Sequence, residues 1–295
     1  MGRMSNIKPY IVLYVAAALG AVFLLDLAGT LKYGFMVNAL IAGVIAGILC
    51  GIVSTYVVVR RIALASGGIS HAAFGGVGLG YFLGLSPILV ALPFSLAATI
   101  LAELLGRKTG ISEDASLGIL WAVGMSLGIL FVGLSGQGYG VDLMGYLFGS
   151  IFTVSTLELI FIGVILAFIC GVTVLLYKDF MVICFDEEYG EALGLPVGKL
   201  NLLLMGMVAL TVIALIKVVG VLLAIALLVI PASIALRLNG SFKAVMASSA
   251  GLGILFTIYG IWFSYMFDLP SGATIVPASA ILFSLMLVGR KIRKA

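Results

Sequence analysis

Charge is scarce in this chain. Asp, Glu, Lys and Arg make up 9% of its 295 residues, there is a single histidine, and 63% of residues are hydrophobic, so the polar shell of a water-soluble domain cannot be assembled from it. Cysteine is scarce too. Cys50, Cys170 and Cys184 are an odd number at wide spacing, the first two within apolar runs, which excludes a disulfide framework or a CxxC metal site and leaves small buried hydrophobes. No HExxH pair, no paired cysteine and histidine ligand set and no phosphate-cradling loop occurs. The nearest approach to a nucleotide loop is GLPVGKL, with Gly194, Gly198 and Lys199. It has one residue too few between its glycines and a leucine where a hydroxyl must reach magnesium.

What is present is long apolar sequence. A helix needs about 20 apolar residues to cross the hydrocarbon layer, so the chain has room for about eight to ten spans and for no large soluble domain. The fold class is therefore all-α, a polytopic membrane bundle, read as one transmembrane domain over 1–295. Apolar segments fall at about 10–29, 35–59, 66–84, 87–105, 115–135, 153–177, 200–216, 218–236, 244–267 and 272–289. The first follows Arg3 and Lys8 as a signal peptide would, but it runs longer than a typical cleavable core and is read as a retained extra N-terminal helix. Only Lys217 and Val218 separate 200–216 from 218–236, which leaves a tight hairpin and a bent helix both open.

Lysine and arginine set the orientation. With ten spans and both termini in the cytoplasm, Arg3, Lys8, Arg60, Arg61, Arg107, Lys108, Lys178, Lys199, Arg237, Lys243 and the cluster at 290–294 fall inside, leaving Lys32 and Lys217 outside. The net charge of +4 then reflects topology and anionic lipid in a cytoplasmic (inner) membrane. No basic patch with interleaved aromatics indicates nucleic acid.

Two stretches carry candidate function. The cytoplasmic loop at about 178–200 is acidic through Asp186, Glu187, Glu188 and Glu191, and its DEEYGEALG run reads as a short helix stopped by Gly194 and Pro196. It is either a solvated connector or a docking surface for a cytoplasmic partner. The other stretch, ASGGISHAAFGGVGLG at 65–80, holds His71 among small residues that leave space beside it. An ionisable group within a span faces the bundle interior or a transport path.

Several blocks taken in order, VVVRRIALASGGISHAAFGGVGLGYFLG, SEDASLGILWAVGMSLGIL, VDLMGYLFGS, FDEEYGEALGLPV, VVGVLLAIALLVIPASIALRL and DLPSGATIV, resemble the permeases of ABC transporters that import zinc, manganese or iron. The resemblance runs from about residue 35 to the C-terminus. It implies a homodimer, two cytoplasmic ATP-binding subunits and an extracytoplasmic metal-binding protein. It further implies zinc or manganese, with iron as a further candidate, as transported substrate and no tightly bound cofactor. The loop resembling the family's coupling helix would place Asp186, Glu187, Glu188, Glu191, Ala192 and Gly194 against the ATPase. His71 takes the position of the family's metal-path histidine, with Ser70, Cys50, water or a second copy's His71 as further ligands. One departure stands out: the family commonly has an Asp four residues before the histidine, and here that residue is Gly67.

Two other function classes compete with this importer subunit, which would itself be no enzyme. A secondary transporter would explain glycine-rich broken helices equally well, but it wants several intramembrane ionisable groups, and only His71, Glu158 and Lys217 qualify. An intramembrane serine protease is suggested by GLSG around Ser135, yet no histidine follows that serine.

Overall fold

The computed structural model describes residues 29–109, 113–136 and 143–294. Helices follow the apolar segments closely: α1 Gly34–Val59, α2 Ala63–Leu83, α3 Pro87–Thr109, α4 Glu113–Leu134, α6 Thr156–Leu175, α9 Val197–Val219, α12 Phe242–Phe267 and α13 Ser271–Lys294. Between them lie short helices: α5 Leu143–Phe148, a single 3-10 turn at Ile151–Thr153, α7 Tyr177–Phe185, α8 Glu187–Ala192, α10 Val221–Leu227 and α11 Ile230–Leu238. No strand occurs among the described residues, so the all-α membrane class stands. Among the described residues five helices are long and apolar enough to cross a membrane: α1, α4 from Ala115, α6, α9 through Ile216, and α12. The N-terminal segment at 10–29 lies outside the described residues except for its last position.

The helices reverse at tight corners, which gathers the positive positions at one end of the bundle. Arg60 and Arg61 close α1, Lys178 and Lys199 begin α7 and α9, Arg237 is in the last turn of α11, and Lys243 opens α12. The α1–α2 corner is a Schellman stop: Ile62 N–H donates to Val57 C=O at 3.0 Å and Arg61 N–H to Val58 C=O at 3.2 Å. Arg61 takes the left-handed position there at φ 63°, where glycine is usual.

Small residues decide which helices touch. Along α1, Gly43, Gly47 and Gly51 recur every fourth residue and lie against α12, which runs antiparallel. A Cβ at Gly47 would stand 2.7 Å from the carbonyl carbon of Gly253, and one at Gly51 would overlap the backbone of Ala250. Two hydrogen bonds seal the seam: Thr257 Oγ1 donates to Gly43 C=O at 2.9 Å, and the Ser54 and Ser249 hydroxyls lie 2.9 Å apart. We expect Gly51→Leu to force the two helices apart at a cost of about 1–3 kcal/mol, read as a lower thermal midpoint and poorer yield in detergent, with Gly171→Leu on α6, which faces open space, as the tolerated control.

α2 makes a second close-packed unit. It runs parallel to α4, with Ala72 facing Gly124 and Phe74 facing Gly128, and antiparallel to α3, with Gly76 facing Ala91 and Gly80 facing Pro87. Its run from Ala65 to Gly78 is entirely buried. Of the ambiguous pair of segments, the first continues as α9 through Lys217 to Val219, so the backbone of Lys217 belongs to a helix and not to a loop. The break comes at Gly220, with φ 83° and ψ 163°, a conformation closed to residues with a Cβ. The chain then returns through α10 and α11.

Candidate functional site

His71 is the ninth residue of α2 and only 4% exposed. Neither ring nitrogen has a hydrogen-bond partner. Its imidazole lies flat against the indole of Trp121 on α4, the ring centroids 4.1 Å apart and the planes 15° from parallel. Both positions follow from the parallel packing of α2 on α4. One turn earlier on α2, a Cβ at Gly67 would touch the same indole at 3.4 Å. The place that resemblance would give to a carboxylate is therefore bordered by an aromatic ring.

The other two residues of the sequence-derived metal path are placed separately. Ser70 is buried and its hydroxyl donates to the carbonyl of Ser66 at 2.7 Å, one turn back on its own helix. It keeps its lone pairs for accepting. Cys50 is fully buried on α1, as a free thiol. Among the described residues no group of three or more His, Cys, Asp or Glu side chains is close enough to hold a metal ion. What the interior offers is one unpartnered imidazole with a π surface on one face.

The rival readings can be set against the same geometry. Ser135 donates to the carbonyl of Val132 at 2.7 Å, and with both nitrogens of the chain's one histidine unpartnered there is no Ser–His dyad. Glu158 accepts from the Ser155 N–H at 2.8 Å and from the Ser155 hydroxyl at 2.9 Å, the capping box that starts α6. It does a local structural job at a helix start.

At the basic end, α7 and α8 form the loop between α6 and α9. Asp186 caps α8 by accepting from Tyr189 N–H at 3.0 Å. Gly194 ends it in a left-handed turn at φ 78°, with Leu195 N–H donating to Gly190 C=O at 3.0 Å. Glu188, Glu191 and Ala192 are exposed. Glu187 is exposed too, but its carboxylate is engaged: it accepts from the Arg60 guanidinium and, at 3.3 Å, from the Asn201 carboxamide. Gly190 is buried, because a Cβ there would press on Val197 and Ile183 at 3.3 and 3.4 Å. The thiol of Cys184 beneath this loop is pushed up to about 12 by burial, partly offset by Arg60 and reinforced by Glu187, so it stays protonated at neutral pH.

Charge is only part of this surface. Phe185 is 70% exposed, Tyr189 56% and Leu193 55%, spaced four residues apart on the loop between α6 and α9. Large exposed apolar side chains beside acidic ones make this loop a candidate protein contact. The acidic residues were legible in the sequence, whereas Phe185, Tyr189 and Leu193 were hidden in a chain where hydrophobic residues are the rule. Trp121 likewise gave no signal before the α2–α4 packing was known.

A multi-span helical bundle with a buried imidazole and an exposed loop of apolar and acidic side chains, and without a nucleotide loop among its motifs, is the shape of a transporter's membrane subunit. The chain belongs to the ABC 3 transport family, whose model matches residues 32–290. It is 39% identical over 261 residues to an uncharacterized membrane protein of Synechocystis, spanning 88% of this chain and 92% of that one. It is 31% identical over 260 residues to the manganese transport system membrane protein MntC of Listeria innocua, with the same coverage of 88% and 92%. Among solved structures, PsaBC from Streptococcus pneumoniae in complex with Fab superposes with a TM-score of 0.80 at 30% identity, over 90% of this chain and 94% of that one. The chain is a metal-transport permease of the ABC type.

Proposed function

We propose that this permease imports a divalent transition metal ion, manganese or zinc, driven by ATP hydrolysed on separate cytoplasmic subunits. The observation that carries the reading is the α7–α8 loop: it presents Phe185, Tyr189 and Leu193 to water at the basic end, and the chain's one Walker-like stretch lacks the spacing and hydroxyl a nucleotide loop needs. The energy source must then be docked there. The resemblance to manganese transport proteins supports the cargo, and imidazole suits zinc while also binding manganese or iron. A second copy of the chain, two ATP-binding subunits and an extracytoplasmic metal-binding protein complete the transporter, with both termini on the cytoplasmic side of the cell membrane. The chain contributes the path and the coupling, and no chemistry of its own. With Gly67 in place of the family's usual Asp, and no group of three metal-ligating side chains among the described residues, coordination is weak, which suits a path that an ion leaves as readily as it enters.

Manganese and zinc accumulation in cells with and without the gene tests this. Uptake should depend on the chain and collapse when ATP is depleted while the proton gradient is kept. Uptake that follows the proton gradient and survives ATP depletion would establish a secondary transporter instead.

A further inference from the structure

Arg60, at the basic end, is a nearly buried basic side chain held in a network of hydrogen bonds. Its side chain is 8% exposed, and its two terminal nitrogens divide their work: Nη1 donates to Asn201 Oδ1 and Nη2 to Glu187 Oε1. Asn201 in turn donates to the second carboxylate oxygen of Glu187 at 3.3 Å, which closes a ring of three side chains from three elements. Glu187 is the first residue of α8, Asn201 the fifth of α9, and Arg60 the C-cap of α1 at the corner leading into α2. That corner holds its shape through the Schellman hydrogen bonds and Arg61 in the left-handed region. From Ala63 the rod of α2 reaches His71 in eight residues, about 12 Å.

A buried guanidinium that loses one partner keeps its desolvation cost, so the three side chains favour moving together over separating. We propose that Arg60, Glu187 and Asn201 form a clasp that passes displacement of the docking helix to the α1–α2 corner, and so to the helix carrying His71, and to the foot of the broken α9–α10 span. The proposal rests on α8 being the docking helix. Arg60 is here a positioning residue, acting through Asn201 and Glu187. A lysine could not replace it, because a single ammonium cannot serve the carboxamide and the carboxylate as a planar fork does.

The test uses the whole transporter in proteoliposomes and reads three quantities: ATPase subunit retained on the permease, ATP hydrolysed, and metal taken up. Arg60→Gln and Asn201→Ala should retain the ATPase and its hydrolysis within about twofold, while metal moved per ATP falls about tenfold. Glu187→Gln, at a side chain that is 47% exposed and tolerant of change, should show the same uncoupling more weakly. The exchange Arg60→Glu with Glu187→Arg should recover part of the ratio. Unchanged metal per ATP in Arg60→Gln overturns the clasp, as does a loss in which ATPase retention falls in step with uptake, since that would make the network a prop for α8 alone. A failure of the docking reading itself shows differently, as retention that survives charged replacements at Tyr189 and Leu193.

Discussion

His71→Ala is expected to abolish metal uptake, with the permease still folded and still holding its ATPase. Removal leaves a small cavity against Trp121 and breaks no hydrogen bond, because neither ring nitrogen makes one. A purely structural histidine would be bonded to a carbonyl or hydroxyl across the helix contact, which is how such a buried group is ordinarily satisfied. Here Ser66 and Ser70 spend their donors on their own helix. His71→Asp should retain part of the uptake, since a carboxylate still ligates, whereas His71→Phe should fill the space, restore any lost stability and remain inactive. Uptake at the normal rate in His71→Ala would make His71 a packing residue and put the path elsewhere in the bundle. The readout is metal accumulation normalised to the amount of assembled transporter.

The second large effect is at the docking loop. Tyr189→Asp combined with Leu193→Asp should strip the ATPase subunits from the membrane domain. Central, desolvated aromatic and aliphatic anchors each carry about 2 kcal/mol or more of an interface, so two together should weaken retention by about a thousandfold. The surrounding acids act differently. Glu188→Lys and Glu191→Lys sit at the exposed rim and should chiefly slow association and change its salt dependence. Because all four side chains are exposed, helix content and thermal midpoint should not move. Retained ATPase in the double aspartate variant would return the loop to a solvated connector.

Most of the architecture was legible because the membrane imposes its own length scale. The 35–59 and 244–267 segments became α1 and α12 within two residues at either end, as a stretch that must span hydrocarbon has little freedom in where it stops. The 218–236 segment was legible in extent but not in form. The glycine that breaks it, Gly220, is one of 38 in the chain, and only the left-handed backbone at that position separates it from those that serve as flat packing surfaces. The site followed the same division. His71 was singled out because it is unique, and Asp186 to Glu191 because charge is rare. Arg60 was assigned to topology, and its ring with Asn201 and Glu187 joins residues that lie 141 and 127 positions away in the chain.

The glycine seams also restrict how such a molecule can move. Where α1 lies on α12, and α2 on α4, backbone meets backbone, and sliding either pair by one residue would drive a Cβ into a main chain. Shear within those pairs is closed, so each behaves as a stiff plank. Yet α1 and α2, though consecutive, choose different partners and share few contacts beyond their own corner. Between α1 and α2 the chain has only Arg60, Arg61 and Ile62, a three-residue corner whose shape is held by hydrogen bonds and a left-handed residue. A movement of α1 is therefore passed to α2 as a rigid turn of the whole helix, because the corner between them has no slack to absorb it.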